Sequence, residues 1–451
     1  MIPPKPQSRA ENVSLWRYVR LFRRDILSAQ PARLYRAWMA AFRTPFFQSY
    51  LVNQPELVRL LLKERPEDFP KSSRIAEGLR PLLGNSVFLT NGDTWERQRR
   101  IIDPAFEGGR IRETFPAMRA AAQCAARRFE EKQEQLVEVE AIASHAAADV
   151  IFRTLFSIPI EHDIARQVFE AFRQYQRSQP ILNLGAFVPL PSWAPRLFRR
   201  DARSKARQIR SLIMTLTDQR QRELKTGSAP DDLATKIMTT PDPLTGQIFD
   251  LDEMVDQVAI FFLAGHETSA SALAWALYLV AIYPEWQDRI AEEIERADGD
   301  HFEMMSQLSV TRDVFREALR LYPPVPMMVR ECQKPERFRN RDIQRKSQMV
   351  ISPWHVHRHE RLWHAPDAFD PDRWKTENGQ KCLRDAFIPF SAGPRVCPGA
   401  GFAMIEGPLL LAHLLRNTRV LPVENRTPVP VAHLTVRSEE GIYLQLTARE
   451  R

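Results

Sequence analysis

Glycine is scarce in this 451-residue chain, at 16 residues, about half the usual share of roughly 7%. A barrel or dinucleotide-binding fold built on tight glycine turns is therefore disfavoured. A glycine cluster in such a chain needs a reason, because only glycine lets backbone approach a ligand closely at no steric cost. Cysteine is rare as well: Cys124, Cys332, Cys382 and Cys397 include no close pair. That excludes a disulfide framework and fits a reducing, cytoplasmic compartment. The N-terminus has no apolar run before its arginines and no small-residue cleavage site, which excludes a secretory signal and starts the protein near Met1. No internal repeat and no Gly/Ser linker divides the chain. No long hydrophobic run is free of charge either. The most apolar stretch, 251–283, carries Glu253, Asp256, His266 and Glu267, each costly in a bilayer, so it reads as a buried helix and not a membrane span.

What is present is a globular balance of 44% hydrophobic and 27% charged residues. Lys and Arg outnumber Asp and Glu by 64 to 56, a net charge of +8, which attracts acidic partners at long range. Residues 15–27 put Leu15, Val19, Phe22 and Ile26 on one helical face and Arg17, Arg20, Arg23 and Arg24 elsewhere. Such a stripe suits packing on the body, the commoner outcome, or lying on an anionic membrane. The hydrophobic periodicity predicts one mainly α domain with small β lobes over residues 1–451. It would comprise an N-terminal extension and first helix to about residue 43, a partly β-rich lobe over 44–90, and a helical body over 91–451. The tail HLTVRSEEGIYLQLTA reads as a closing hairpin. Segment 180–198 is apolar but broken by Pro180, Pro189, Pro191 and Pro195, which predicts a mobile apolar flap.

Three of the glycines, Gly393, Gly399 and Gly401, crowd into nine residues around Cys397. The run Phe390-Ser-Ala-Gly393-Pro-Arg395-Val-Cys397-Pro-Gly399 precedes a strong helical pattern. Cys397 then sits at a helix N-terminus, where unpaired N–H groups and the positive helix end favour a thiolate, and Pro398 loses no needed donor. The flanking glycines predict backbone lying close against a flat ligand, and Arg395 supplies a cation for an anionic group on it. A buried cysteine serving as a small hydrophobe is the commoner use, but these surroundings argue against it. The pattern F-x-x-G-x-R-x-C-x-G resembles the haem-binding signature of the cytochrome P450 monooxygenases, and a chance match is on the order of one in ten thousand. The resemblance implies the P450 fold, with one haem b between a distal and a proximal helix and Cys397 as the axial ligand of its iron.

Further motifs follow in the order that family shows, from about residue 45 to the C-terminal tail. Ala264-Gly265-His266-Glu267-Thr268-Ser269 lies midway along the apolar helix, where a Glu and a Thr are costly without a purpose. Thr268 can bond back to the carbonyl of Ala264, and Gly265 leaves space, so the two can open a groove. The resemblance assigns Ala264 and Gly265 to the cofactor face, and Glu267 and Thr268 to catalysis as the acid and alcohol that supply protons for dioxygen cleavage. Trp95 and Arg99 are four apart on one helix face. Together with Arg330 and Arg395 they resemble the family's propionate contacts, three cations for two carboxylates. Phe390 and Gly393 belong to the same cofactor-binding set. Glu317 and Arg320 with Arg373 resemble a structural network beneath the thiolate.

The reaction implied is hydroxylation of a hydrophobic substrate such as a fatty acid, terpenoid or aromatic, with Phe88, Phe261, Val325 and Met327 lining its pocket beside Ala264. No reductase module follows Arg451, so electrons from NAD(P)H are expected through a separate acidic ferredoxin or flavodoxin with its reductase. Arg97, Arg100, Lys381 and Arg384 are its candidate contacts. Without an anchor, the resemblance implies a soluble bacterial-type member with no nucleic-acid partner. Two rivals are a haem-thiolate sensor that binds gas without turnover, and a zinc hydrolase built on the alternating His355, His357 and His359. The former has no use for the Glu267–Thr268 pair.

Overall fold

The computed structural model describes residues 2–43, 48–178, 200–297, 299, 301–432 and 434–449. Its main helices include α1 (Leu15–Arg24), α2 (Gly92–Ile102), α3 (Gly108–Glu130), α4 (Val139–Phe156), α5 (Leu251–Ile282), α6 (Ser309–Leu321) and α7 (Ala400–Arg416). The strands are short. The first are β1 (Met39–Arg43), β2 (Gln48–Val52), β3 (Leu136–Glu138), β4 (Met328–Glu331), β5 (Glu336–Phe338) and β6 (Arg341–Ile343). After them come β7 (Gln348–Ile351), β8 (Thr418–Pro422), β9 (Pro430–Ala432), β10 (Val436–Ser438) and β11 (Tyr443–Ala448).

The 32-residue α5 is the axis of the protein. Asp250 and Glu253 close a capping box at its start, answering two N–H groups left without helix partners. At its end Pro284 opens the next helix, Pro284–Arg296, because a proline without an N–H suits a helix's first turn. Apolar residues all round α5 require neighbours all round. Phe262 meets Phe152 of α4 with ring centroids 4.5 Å apart, and Trp275 stacks on Tyr322 at 4.0 Å. On the other side of the core, Gly407 of α7 leaves the space that the ring of Phe315, on α6, occupies.

One sheet has the order β1-β2-β7-β4, with β2 and β7 parallel. It joins residues near 40–52 to residues near 328–351, so half of its strands come from the far end of the chain. Arg330 on β4 pairs with Met349 of β7 and on its other side bridges to Lys71. The expected C-terminal hairpin is corrected. β10 pairs with β9, while β11 joins β3 and β8. Gly441, at φ +84°, turns the chain between the two sheets, and this left-handed conformation is one that side chains resist. Of the apolar stripe over 15–27, Phe22 on α1 packs against the core and Ile26, just past the helix, is buried. Segment 180–198 lies outside the described residues.

Candidate functional site

The loop carrying Cys397 is folded back on itself and clamped from outside. Cys397 N–H donates to Phe390 O at 2.9 Å, and Val396 N–H to Gly393 O at 3.0 Å. Arg99 on α2 donates from Nη1 to Val396 O at 2.7 Å. Gly393 has φ +71°, and a Cβ there would stand 1.9 Å from Leu62 O. Likewise a Cβ at Gly401 would meet Ile111 at 2.9 Å, and one at Gly265 would meet Ile151 at 2.5 Å. Each of these three glycines makes room for another part of the chain. Gly399 remains at the thiol, its Cβ position 3.9 Å from Cys397 Sγ.

Cys397 is exposed, yet burial is the largest influence on its thiol and pushes the pKa up, against the pull of the Gly399 N–H, Arg99 and Lys71. Both facts describe a thiol that opens on a hollow within the protein. On α5, Ala264 is likewise exposed, midway along a helix flanked by buried residues. Beside it Thr268 is half-buried and donates from Oγ1 to Ala264 O at 2.7 Å, the back-bond anticipated from the spacing. Glu267 faces elsewhere. It is buried, and its carboxylate takes a hydrogen bond from Thr435 Oγ1 at 3.1 Å and an ion pair from Arg437.

Four cations gather near the thiol. Arg395 lies over the Trp95 ring at 4.0 Å and donates to Thr90 O at 3.1 Å and Asn91 Oδ1 at 2.8 Å. Burial, with Arg330 and Arg99 nearby, lowers its pKa to about 10. Burial alone lowers that of Arg330 to about 10. Lys71, which the sequence did not flag, is pushed well below the ordinary lysine value by burial and then by Arg330, Arg395 and Arg99. Its Nζ donates to Phe88 O at 2.8 Å and sits 4.1 Å from the Phe88 ring centroid. Asp103 pairs with Arg99 at 2.8 Å and Glu96 acts on Arg395 more weakly. Among the described residues these answer only part of the positive charge. Desolvated cations without counter-charges destabilise a protein unless a ligand supplies them. An accessible thiol among such cations fits haem, whose iron takes the sulfur and whose two propionates take the charge.

Comparison with known proteins agrees. The family model for cytochrome P450 matches residues 42–446. The chain belongs to the cytochrome P450 family. A Streptomyces melanosporofaciens protein named cyclooctat-9-en-7-ol 5-monooxygenase is 31% identical over 388 residues, covering 84% of this P450 and 82% of the relative. Cytokinin hydroxylase of Arabidopsis thaliana is 27% identical over 404 residues, covering 88% and 78%. Among solved structures, the haem domain of cytochrome P450DA superposes with a TM-score of 0.81 at 22% identity, covering 100% of this chain and 98% of that one. The protein is thus a P450 oxidoreductase of the haem-thiolate class, and the mainly α expectation holds.

Below the cysteine loop this P450 carries a fully buried charge network. Glu317 accepts from Arg320 Nη2 at 2.7 Å and from Arg373 Nε at 2.9 Å. Arg320 also holds the carbonyls of His357, Pro366 and Ala368. His357 Nε2 in turn accepts from Ile388 N–H at 2.9 Å, which ties the network to the start of the cysteine loop. The zinc alternative loses its geometry here. His355 and His357 fall on or just after the short helix Pro353–Val356 and not on a strand. His355 pairs with Ser352 Oγ at 2.8 Å, and His359 Nδ1 takes the Arg361 N–H at 3.3 Å. Among the described residues no group of His, Cys, Asp or Glu converges to hold a metal ion.

Of the expected pocket residues, Phe88 is 37% exposed, Phe261 meets Phe106 at 5.6 Å, and Val325 and Met327 are half-buried. Leu434, 44% exposed, was not foreseen. It stands at the β9–β10 turn, where Val436 N–H donates to Pro324 O at 3.0 Å. Of the expected docking cations, Arg97 pairs with Glu253 and Arg100 with Asp242, each at 2.6 Å. Lys381 and Arg384 are exposed. Among the described residues no helix is long and apolar enough to cross a membrane.

Proposed function

We propose that this P450 inserts one oxygen atom of dioxygen into a hydrophobic substrate, a fatty acid, terpenoid or aromatic, using electrons from NAD(P)H delivered by an acidic ferredoxin or flavodoxin. In this reading the Cys397 thiolate would hold the iron of haem b, and the haem, when bound, would supply the activation of dioxygen. Arg99, Arg330, Arg395 and Lys71 hold its propionates, with Trp95 fixing Arg395 by stacking. Phe390 closes the cysteine loop through its carbonyl. Thr268 keeps a hydroxyl at the α5 groove through its bond to Ala264 O, and Glu267 is the adjacent acid that carries protons to it. Phe88, Phe261, Val325, Met327 and Leu434 offer apolar surface to the substrate. Lys381 and Arg384 are the exposed cations for the electron-transfer partner.

The observation that supports this reading most is the accessible, desolvated thiol of Cys397 among four partly unanswered cations. The absorption spectrum of the reduced, carbon monoxide-bound protein tests it. The expected result is the red-shifted Soret band of a thiolate-ligated haem in the wild type and its loss in Cys397→Ala. A Soret band unchanged by that substitution would contradict it. Titration with apolar compounds should shift the spin state, whereas a response to small polar acids alone would overturn the substrate class.

A further inference from the structure

Segment 84–90 joins the helix Ser73–Leu83 to α2 without regular structure and carries the exposed ring of Phe88. Its polar backbone is held from three sides. Asn85 N–H donates to Asp256 Oδ2 at 2.6 Å and Val87 N–H to Gln257 Oε1 at 2.9 Å, both acceptors on α5. Gln98 on α2 donates from Nε2 to Asn85 O at 2.6 Å, and Lys71 from Nζ to Phe88 O at 2.8 Å. At Gly84 a Cβ would stand 2.0 Å from Asp256 Oδ1, so the carboxylate fills the space that the missing side chain leaves. The second oxygen of Asp256 reaches another element. Oδ1 pairs with Arg210 Nη1 at 2.7 Å, on the helix Arg200–Thr226, and the same nitrogen donates to Leu82 O at 3.2 Å.

One buried carboxylate thus ties the Phe88 segment to α5 and α5 to the helix Arg200–Thr226. A segment without helix or sheet bonds keeps one shape only where its N–H and C=O groups have fixed partners, and an ionised acceptor makes the stronger bond. Asp256 supplies that acceptor at Asn85, and Lys71 holds the segment at Phe88 itself. Without the carboxylate the Asn85 N–H must find another partner, and the three residues from Asn85 to Phe88 shift with it. We propose that Asp256 is a positioning residue that fixes the Phe88 ring as one wall of the substrate pocket, and that its ion pair with Arg210 makes the place of that wall depend on the helix Arg200–Thr226. This rests on the reading of Phe88 as a pocket residue. The property it governs is how bulky an apolar group is accepted beside Phe88, since packing against a fixed ring discriminates by shape.

The test uses the ferric holoenzyme and two probes, imidazole and phenylimidazole, whose binding is followed by the shift of the Soret band. Imidazole reports on access to the iron, and the added phenyl ring on the wall. Phe88→Ala should change the ratio of the two affinities by about tenfold, the scale of a lost aromatic contact. Asp256→Ala should move the ratio in the same direction by about fivefold, the scale of one hydrogen bond. Asp256→Asn, which keeps an acceptor for Asn85, and Arg210→Gln should each move it by about twofold, as a partly exposed ion pair does. Arg210→Lys should restore the wild-type ratio. Hydrogen exchange at the Asn85 amide should quicken in Asp256→Ala and not in Phe88→Ala. If Phe88→Ala moves the ratio and neither Asp256 variant does, the proposal fails while the reading of Phe88 stands. If Phe88→Ala leaves the ratio unchanged, both fail. A ratio moved by Asp256→Ala and not by Arg210→Gln overturns the link to the helix Arg200–Thr226.

Discussion

The cysteine loop and α5 treat charge in opposite ways. On the cysteine side, Lys71, Arg99, Arg330 and Arg395 gather with only Asp103 and Glu96, among the described residues, to answer them. On the α5 side, the buried acid Glu267 is answered within the chain by Arg437 and Thr435. A site that leaves desolvated charge unanswered is made for a permanent ligand of opposite charge, whereas one that neutralises its own acid is made for a group that must let go and return. In the proposed reading, the difference separates holding a cofactor from handling protons.

The largest effect that sharpens this contrast lies beneath the cysteine loop. Glu317 is fully buried between Arg320 and Arg373, so Glu317→Ala leaves two buried cations unpaired and should destabilise the fold by about 3–5 kcal/mol. Glu267→Gln, whose partner Arg437 is partly exposed, should cost no more than about 1 kcal/mol. Denaturant unfolding of the two variants compares them, and equal losses would break the contrast.

A second comparison concerns Glu406, buried on α7, which accepts from Ser269 Oγ at 2.8 Å. Burial raises its pKa to about 8, with Ser269 opposing. A carboxyl raised above its unfolded value gives stability that is complete below the unfolded pKa and is lost as pH rises through the folded one. Between pH 5 and 8 stability should therefore fall by up to about 1.4 kcal/mol per pH unit from this group. Glu406→Gln should remove that slope, and an unchanged slope in unfolding curves across the range would contradict the assignment.

A smaller effect is expected at Lys71. Lys71→Gln removes one cation of four and should weaken haem retention by about tenfold, the lower end of a hydrogen bond to a charged group. Haem content after dialysis at raised salt measures it.

The parts legible in the sequence are those whose meaning is local. The cysteine loop, the Trp95–Arg99 helix and the Ala264–Ser269 stretch each lie within one short segment, and Glu317 with Arg320 within one turn. Lys71 was missed because its role comes from the bridge to Arg330, some 260 residues away. Arg437 and Thr435 were missed for the same reason, since no spacing in β10 announces a partner on α5. Glycine carries a second meaning that the sequence did not show. The cluster around Cys397 did mark close approach, but Gly393 and Gly401 are approached by Leu62 and Ile111, and composition cannot tell backbone packing from ligand clearance. The C-terminal hairpin was misjudged because strand pattern shows that β10 and β11 exist without showing that they join different sheets.

The most direct test of the contrast is the rate at which haem passes from the holoenzyme to excess apomyoglobin. Arg330→Gln removes a cation without an ion-pair partner among the described residues, and Arg437→Gln removes one already paired to Glu267. Arg330→Gln should speed haem loss by about ten- to a hundredfold, the equivalent of one charge-assisted hydrogen bond, and Arg437→Gln should leave it within about twofold. Equal rates in the two variants would contradict the division between a side that holds the cofactor and a side that handles protons.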